Sequence, residues 1–157
     1  MVANLIWSDL EIANKTLQNA YQKINLDNQS DIPLIIRLFE NPNSPIALPG
    51  NISLHNHDCL HILLGLGASP SEEAFLIGFT MGNDDKTRLW HVKLLKFLTR
   101  FIYPSKYKFN LEDLNYFDIG FEYGKKLQYR NLNQIEFSCF YSRTVKNIRE
   151  LLYINYI

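Results

Sequence analysis

Apolar positions recur at spacings of three and four along most of this chain, and the alternation that a half-buried strand requires is weak throughout. In residues 4–24, Leu5, Ile6, Leu10, Ile12, Ala13, Leu17 and Tyr21 fall near helical spacing. A second short helix is expected over 31–40, with Asp31 as N-cap and Pro33 in the first turn. NPNSPIALPGN is a connector in which Pro49-Gly50 fits the centre of a type II turn. The next helix begins between Ser53 and Asn56, runs to about Gly65 and is ended by Gly67. Ser69-Pro70-Ser71-Glu72 then reads as a capping box with proline at the first helical position. That helix spans 70–81 and stops at Gly82. Asn83 caps another through Asp84 and Asp85 that reaches Phe101 before Pro104. Asn110 starts one running through 129, and a last helical stretch covers 134–154 with a break near Ser142. The fold class is therefore all-α: one bundle of six or seven helices across residues 1–157.

The length suits one ordinary domain that can bury a core without disulfides. Lys plus Arg and Asp plus Glu both number 16, so the basic excess of a nucleic-acid binder is missing. Cys59 and Cys139 are too few for a disulfide scaffold, and a reducing compartment is the default. Acids come too early in MVANLIWSDLEIANK for a secretory signal, and no apolar run reaches 18 residues. The expected location is cytoplasmic, or peripheral on a membrane surface. The many Phe and Tyr fit either a large aromatic core or a wide apolar pocket and membrane-touching face.

The candidate chemistry lies in HNHDCLHILLGLGASPSEEAF, residues 55–75. His57 and His61 stand one helical turn apart, the spacing of a helical chelate, and Asp58 leaves the same side. Glu72 is taken by the cap, which frees Glu73 on the next helix to face the pair across a short loop. Two nitrogens and two carboxylates suit zinc, iron, manganese or magnesium, with a position open for water or substrate. Asp58 would ligate or would orient a histidine from behind. The competing reading is a solvated helix face with local ion pairs. Cys59 projects toward the core, His55 is expected exposed and His91 is expected on the surface.

These residues resemble the Coq-four family of ubiquinone-biosynthesis proteins, whose signature is H-D-x-x-H, eleven residues and Glu: here His57-Asp58-Cys59-Leu60-His61, then Glu73. The run HDCLHILLG is similar to the family's hydrophobic continuation. Residues 148–154 (IRELLYI) resemble its closing L-R-x-x-L-G-I, with Tyr153 in place of the family glycine, and Glu136 stands where the family has an acidic-aromatic segment. The resemblance covers about residues 30–154. Pro49-Gly50 interrupts the long approach helix that the family runs into its His-Asp pair.

The resemblance implies an all-helical fold and a metal, zinc foremost, on His57, Asp58, His61 and Glu73. It also implies an apolar channel for a polyprenylated ring precursor, contact with a membrane surface, and other quinone-biosynthesis proteins as partners. A homodimer is compatible with the sequence. The family's role is either to organise the other biosynthetic proteins or to catalyse exchange of the ring carboxylate for hydroxyl. The function expected is thus a metal- and prenyl-lipid-binding quinone-biosynthesis factor, the alternative a non-catalytic scaffold that holds isoprenoid lipid and docks partners. Leu60, Leu64, Gly65, Ile77 and Thr80 are expected to line the tail's path, plain helix–helix core being the other reading for the apolar ones. Lys93, Lys96 and Arg100 share a face in a basic run that either meets anionic lipid or is simply solvated. A phosphohydrolase of the HD superfamily needs a histidine upstream of His55, and there is none.

Overall fold

The computed structural model describes residues 9–23 and 32–154. Among them the architecture is all-α. The helices are α1 (Asp9–Ala13), α2 (Leu17–Tyr21), α3 (Leu34–Glu40), α4 (Leu54–Leu64), α5 (Pro70–Asn83), α6 (Leu89–Phe97), α7 (Leu111–Lys126) and α8 (Val145–Leu152). A π-helical segment (Leu98–Ile102) prolongs α6, and short 3₁₀ turns fill the path from α7 to α8. Two apolar clusters make the core and share α5. One gathers α2, α4 and α8 with Phe75 and Phe79; the other gathers α3, α6 and α7 with Ala74 and Met81.

The caps explain most boundaries. Ser53 accepts the Asn56 N–H at the start of α4, and Gly65, at φ 71°, closes it in the left-handed region. Gly65 is thus the terminator expected at Gly67. Ser69 and Glu72 form the capping box of α5 with Pro70 at its start. α5 does not stop at Gly82 but runs to Asn83. α6 starts at Leu89 rather than at Asn83, because Asn83 is wholly buried and its side chain is spent on long-range bonds. Its Nδ2 donates to the Gly124 and Tyr129 carbonyls, and its Oδ1 accepts the Leu132 N–H. α3 begins at Leu34 with Pro33 just outside it; Asp31 lies outside the described residues, as do residues 4–8 and 24 of the 4–24 stretch. Asn110 caps α7 as the sequence implies, but the helix ends at Lys126, and only Val145–Leu152 of the 134–154 stretch is α-helical.

Pro49-Gly50 makes the expected turn: Gly50 has φ 85°, and the Asn51 N–H reaches the Leu48 carbonyl. A Cβ on Gly50 would meet the Met81 backbone at 2.7 Å, so the turn seats directly on α5.

The dominant packing is α5 against α7, and the two helices run parallel. Gly78 lies against the Phe117 carbonyl and Gly82 against that of Phe121. Gly120 lies against the Phe75 carbonyl and Gly124 against that of Phe79. Glycines spaced i, i+4 on both helices remove the side chains that would hold the backbones apart. Ser71 donates to Asp113 (2.8 Å) where both helices begin, and fixes their register. This interface sets α5, and with it the first-turn residue Glu73, in a rigid frame.

Candidate metal centre

α4 is buried on nearly every side, so the polar residues it carries lie inside the protein. His61 is 2% exposed, and the His57 and Asp58 side chains 20% and 10%. The Gly65 cap and the 66–69 loop turn the chain back so that α5 begins beside α4. Glu72 stays local: its carboxylate accepts the Gly67 and Ser69 N–H groups and the Ser69 hydroxyl. Glu73 points the other way, with Oε2 3.3 Å from His57 Nε2 and Oε1 3.0 Å from His61 Nε2. The two imidazoles meet edge to face, 4.7 Å between centroids.

His57, His61 and Glu73 could hold a metal ion: each offers a ligand atom within 4.8 Å of the others. Two ligands about 2.1 Å from one tetrahedral ion sit roughly 3.4 Å apart, close to the separation of each imidazole from its nearer Glu73 oxygen. Bonding points the same way. His61 Nε2 approaches Glu73 without the geometry of a hydrogen bond. Nδ1 and Nε2 of His61, Nδ1 of His57 and Oδ1 of Asp58 are all buried with no hydrogen-bond partner. Leaving such an atom unsatisfied costs about 1–3 kcal/mol, and a cation at the centre would satisfy His61 Nε2, the one of the four that faces Glu73. A nitrogen-and-carboxylate donor set of this kind fits a divalent ion.

Asp58 does not converge with the other three. It lies behind His57, its Oδ1 3.5 Å from His57 Nδ1, where a carboxylate orients an imidazole whose other nitrogen faces the centre. Without an ion the cluster holds itself together by charge. Burial opposes a charge on His57, but the Glu73 and Asp58 carboxylates outweigh it and push the imidazole up to about 10. Burial opposes ionisation of Glu73 too, and the two imidazoles outweigh it and hold that carboxyl well below its usual range.

His57, Asp58 and Glu73 form part of the wall of a cavity of about 370 Å³. Ile36, Ile52, Ile77, Tyr103 and Phe109 supply much of the rest. Glu40 lines the same cavity, and its Oε1 accepts the Tyr103 hydroxyl at 2.7 Å. Burial lifts the Glu40 carboxyl to about 7, with the Tyr103 bond pulling the other way. Arg37 and Lys106 also border the cavity.

Of the residues expected on a tail's path, Ile77 lines this cavity. Leu60 and Leu64 do not: α4 is so deeply enclosed that both are spent on the core cluster with α2 and α8. Gly65 serves as the helix terminator. Thr80 donates to the Ile77 carbonyl and borders a separate space of about 20 Å³. His55 is half-buried rather than exposed, held between the Tyr21 and Tyr141 rings with Nε2 on the Tyr141 hydroxyl. Cys59 is fully buried, and burial drives its thiol up to about 12. His91 is half-buried and accepts the Arg88 N–H.

Glu40 and Tyr103 escape sequence reasoning, because nothing in LIIRLFE or FIYPSKY marks either as lining the cavity that His57 borders. The paired G-x-x-x-G runs at 78–82 and 120–124 are a readable signal of close helix contact, and they locate the frame that carries Glu73. No family model matches this chain, and no curated protein or solved structure matches it significantly.

Proposed function

We propose that this protein binds a divalent metal ion, zinc foremost, and a prenylated ring compound, and that it acts in quinone biosynthesis as its resemblance to the Coq-four family implies. The observation that carries the reading is the convergence of His57, His61 and Glu73, two of which, His57 and Glu73, line a largely apolar cavity. A polar head beside the cluster and a hydrocarbon tail along Ile36, Ile52, Ile77 and Phe109 match that division of surface. A volume of about 370 Å³ is near the lower end for small-molecule sites, so it takes the ring and the first isoprene units, and a longer tail leaves through the mouth.

A second observation favours the resemblance at the other end of the chain. Tyr153, where the family pattern has glycine, has φ 57°, a backbone state that glycine adopts without strain. Arg149, the arginine of that pattern, is buried and donates to the Ile62 and Leu63 carbonyls, so it secures the C-terminal end of the helix that carries both histidines.

Chemically, a bound ion would supply Lewis-acid polarisation of a ring carboxylate or phenol. His57, His61 and Glu73 would hold it, Asp58 would fix the His57 ring, and the apolar wall would keep water from the head group. Glu40, on the same cavity, is a carboxyl able to gain or lose a proton near neutral pH. Exchange of a ring carboxylate for hydroxyl draws on an outside oxidant such as dioxygen. Native mass spectrometry of protein purified from a quinone-making host tests the reading. It should detect one divalent ion and a co-purified prenylated lipid, with the lipid lost in Ile77→Trp, which fills the cavity. A chain that carries neither ion nor lipid would refute it.

A further inference from the structure

The side of α4 away from the metal centre carries a second set of polar groups. At 100° per residue, His55 leaves the helix about 200° from His57. Its ring lies between Tyr21, at the end of α2, and Tyr141, just after the 3₁₀ turn at Phe137–Phe140, with centroids 5.0 and 5.6 Å away. All three residues are half-buried, so the stack borders solvent. Neither the metal cluster nor the cavity beside it uses them.

Hydrogen bonding fixes where each proton sits. Asn56 Nδ2 donates to the Ile135 carbonyl (2.6 Å), which leaves Oδ1 as the acceptor, and Oδ1 takes the Phe137 N–H (3.4 Å). His55 Nδ1 stands 3.2 Å from that same Oδ1 and must therefore carry the ring proton. Nε2 is then a bare lone pair, and the Tyr141 hydroxyl donates into it at 2.5 Å. The Cys59 sulfur, 3.8 Å from this nitrogen, is the weaker claimant, because burial keeps its thiol protonated. Glu136 Oε1 lies 3.9 Å from Nδ1, so a positive charge on the ring would meet a carboxylate.

This geometry suits one kind of reaction. A phenol that loses an electron becomes so strong an acid that its proton must leave with the electron. The oxidation is therefore easiest where an acceptor already touches the hydroxyl. Tyr21, 6.1 Å from Tyr141 between centroids, extends the electron-rich stack. Exposure alone would favour other rings, since Tyr129 and Tyr153 are 45% and 56% exposed. Tyr103 also donates to an acceptor, Glu40, but is 2% exposed.

We infer that Tyr141 is a redox-active tyrosine, which loses an electron to a one-electron oxidant of the peroxyl-radical class while its hydroxyl proton passes to His55. The O–H bond breaks and an N–H bond forms at Nε2. The peroxyl radical takes the electron and, with a proton from water, leaves as a hydroperoxide. Tyr141 becomes a neutral phenoxyl radical beside a cationic imidazole that Glu136 faces. A one-electron donor such as ascorbate reverses the step, and the Nε2 proton returns to the oxygen. The protein thus has a radical-trapping function that is independent of its metal and lipid reading.

Flash oxidation with photogenerated tris(bipyridine)ruthenium(III) tests the inference, read by the optical absorption and electron paramagnetic resonance of the tyrosyl radical. The wild type should form the radical promptly, and more slowly in deuterium oxide. A nitroso spin trap followed by peptide mass spectrometry should place it on Tyr141, with this oxidant and with peroxyl radicals from an azo initiator. Tyr141→Phe should lose most of the signal. His55→Phe keeps the ring stack and removes the acceptor, and should lose the signal too although the phenol remains. Tyr129→Phe and Tyr103→Phe should behave as wild type, with helical circular dichroism unchanged in every variant. A trap adduct mainly on another tyrosine of the wild type would overturn the inference, whether or not any variant folds. So would a signal as strong in Tyr141→Phe, or an equal yield in His55→Phe, since exposure rather than the acceptor would then govern.

Discussion

Replacing Gly120 by alanine tests whether backbone contact between α5 and α7 holds the frame of the site. Its added Cβ would lie 2.0 Å from the Phe75 carbonyl oxygen, an atom of a helix backbone with no rotamer to change. Carbon–oxygen contacts at close helix crossings settle near 3.3 Å, so the helices must part by about 1.3 Å. The register bonds from Ser71 to Asp113 and from Asn83 to the Gly124 carbonyl resist that separation. Overpacking of this sort costs about 1–3 kcal/mol and sometimes more, and two rigid backbones place it at the top of that range. Against this, alanine gains about 1 kcal/mol of helix propensity over glycine. The net loss is about 2 kcal/mol, which for a chain of this length lowers Tm by about 4–8 °C. Gly67→Ala is the control: its Cβ meets the movable end of the Glu72 side chain, and Tm should shift by no more than about 2 °C. Calorimetry of both variants decides. If Gly120→Ala raises Tm by about 2–4 °C, propensity alone is acting and the two backbones are not in contact.

Asp58→Asn should weaken metal binding about 10–100-fold in titration calorimetry, because the carboxylate behind His57 orients the ring and raises its basicity; an unchanged affinity would remove that role. In metal-free protein the folded His57 keeps its proton up to about 10, above the usual value of 6.5, so its charge stabilises the fold fully below pH 6.5 and loses that effect as pH rises through about 10. Metal binding at pH 7.5 should therefore release a proton, visible as a binding enthalpy that varies with the buffer's ionisation enthalpy; the same enthalpy in every buffer would count against it. Tyr153→Gly relieves a left-handed residue of about 1–2 kcal/mol of strain while freeing the unfolded chain, so stability should rise by about 0.5–1 kcal/mol in denaturant melts. A loss instead would mean that the tyrosine ring is held by contacts worth more than the strain.

The parts of this fold legible in the sequence are those written in local chemistry. Ser69-Pro70-Ser71-Glu72, Asn110 and Pro49-Gly50 each satisfy a helix end or turn within a few residues, and each does so where the sequence placed it. Asn83 misleads because its long-range partners at Gly124, Tyr129 and Leu132 are invisible in a local window, so an apparent cap is a buried clasp. The C-terminal stretch 134–154 misleads because Phe137, Val145, Ile148 and Leu152 are all apolar and buried, yet a 3₁₀ turn carries the first and only the last three are on α8. At the site, the i, i+4 spacing of His57 and His61 and the capped Glu72 were sufficient to bring Glu73 to the pair. Helical spacing also put Asp58 on their side, but a residue adjacent to His57 ends up behind its ring. Which wall faces the cavity depends on α3 and on the segment after α6, and neither is coded near residue 57.

The most direct measurement is zinc titration of metal-stripped wild-type protein and Glu73→Gln, followed by calorimetry with metal analysis of the dialysed product. One zinc ion per chain on the wild type is expected, with affinity at least about tenfold weaker for the amide, which keeps the size of the side chain and loses its charge. Wild-type protein that binds no divalent ion, or a Glu73→Gln variant that binds it equally well, would contradict the account.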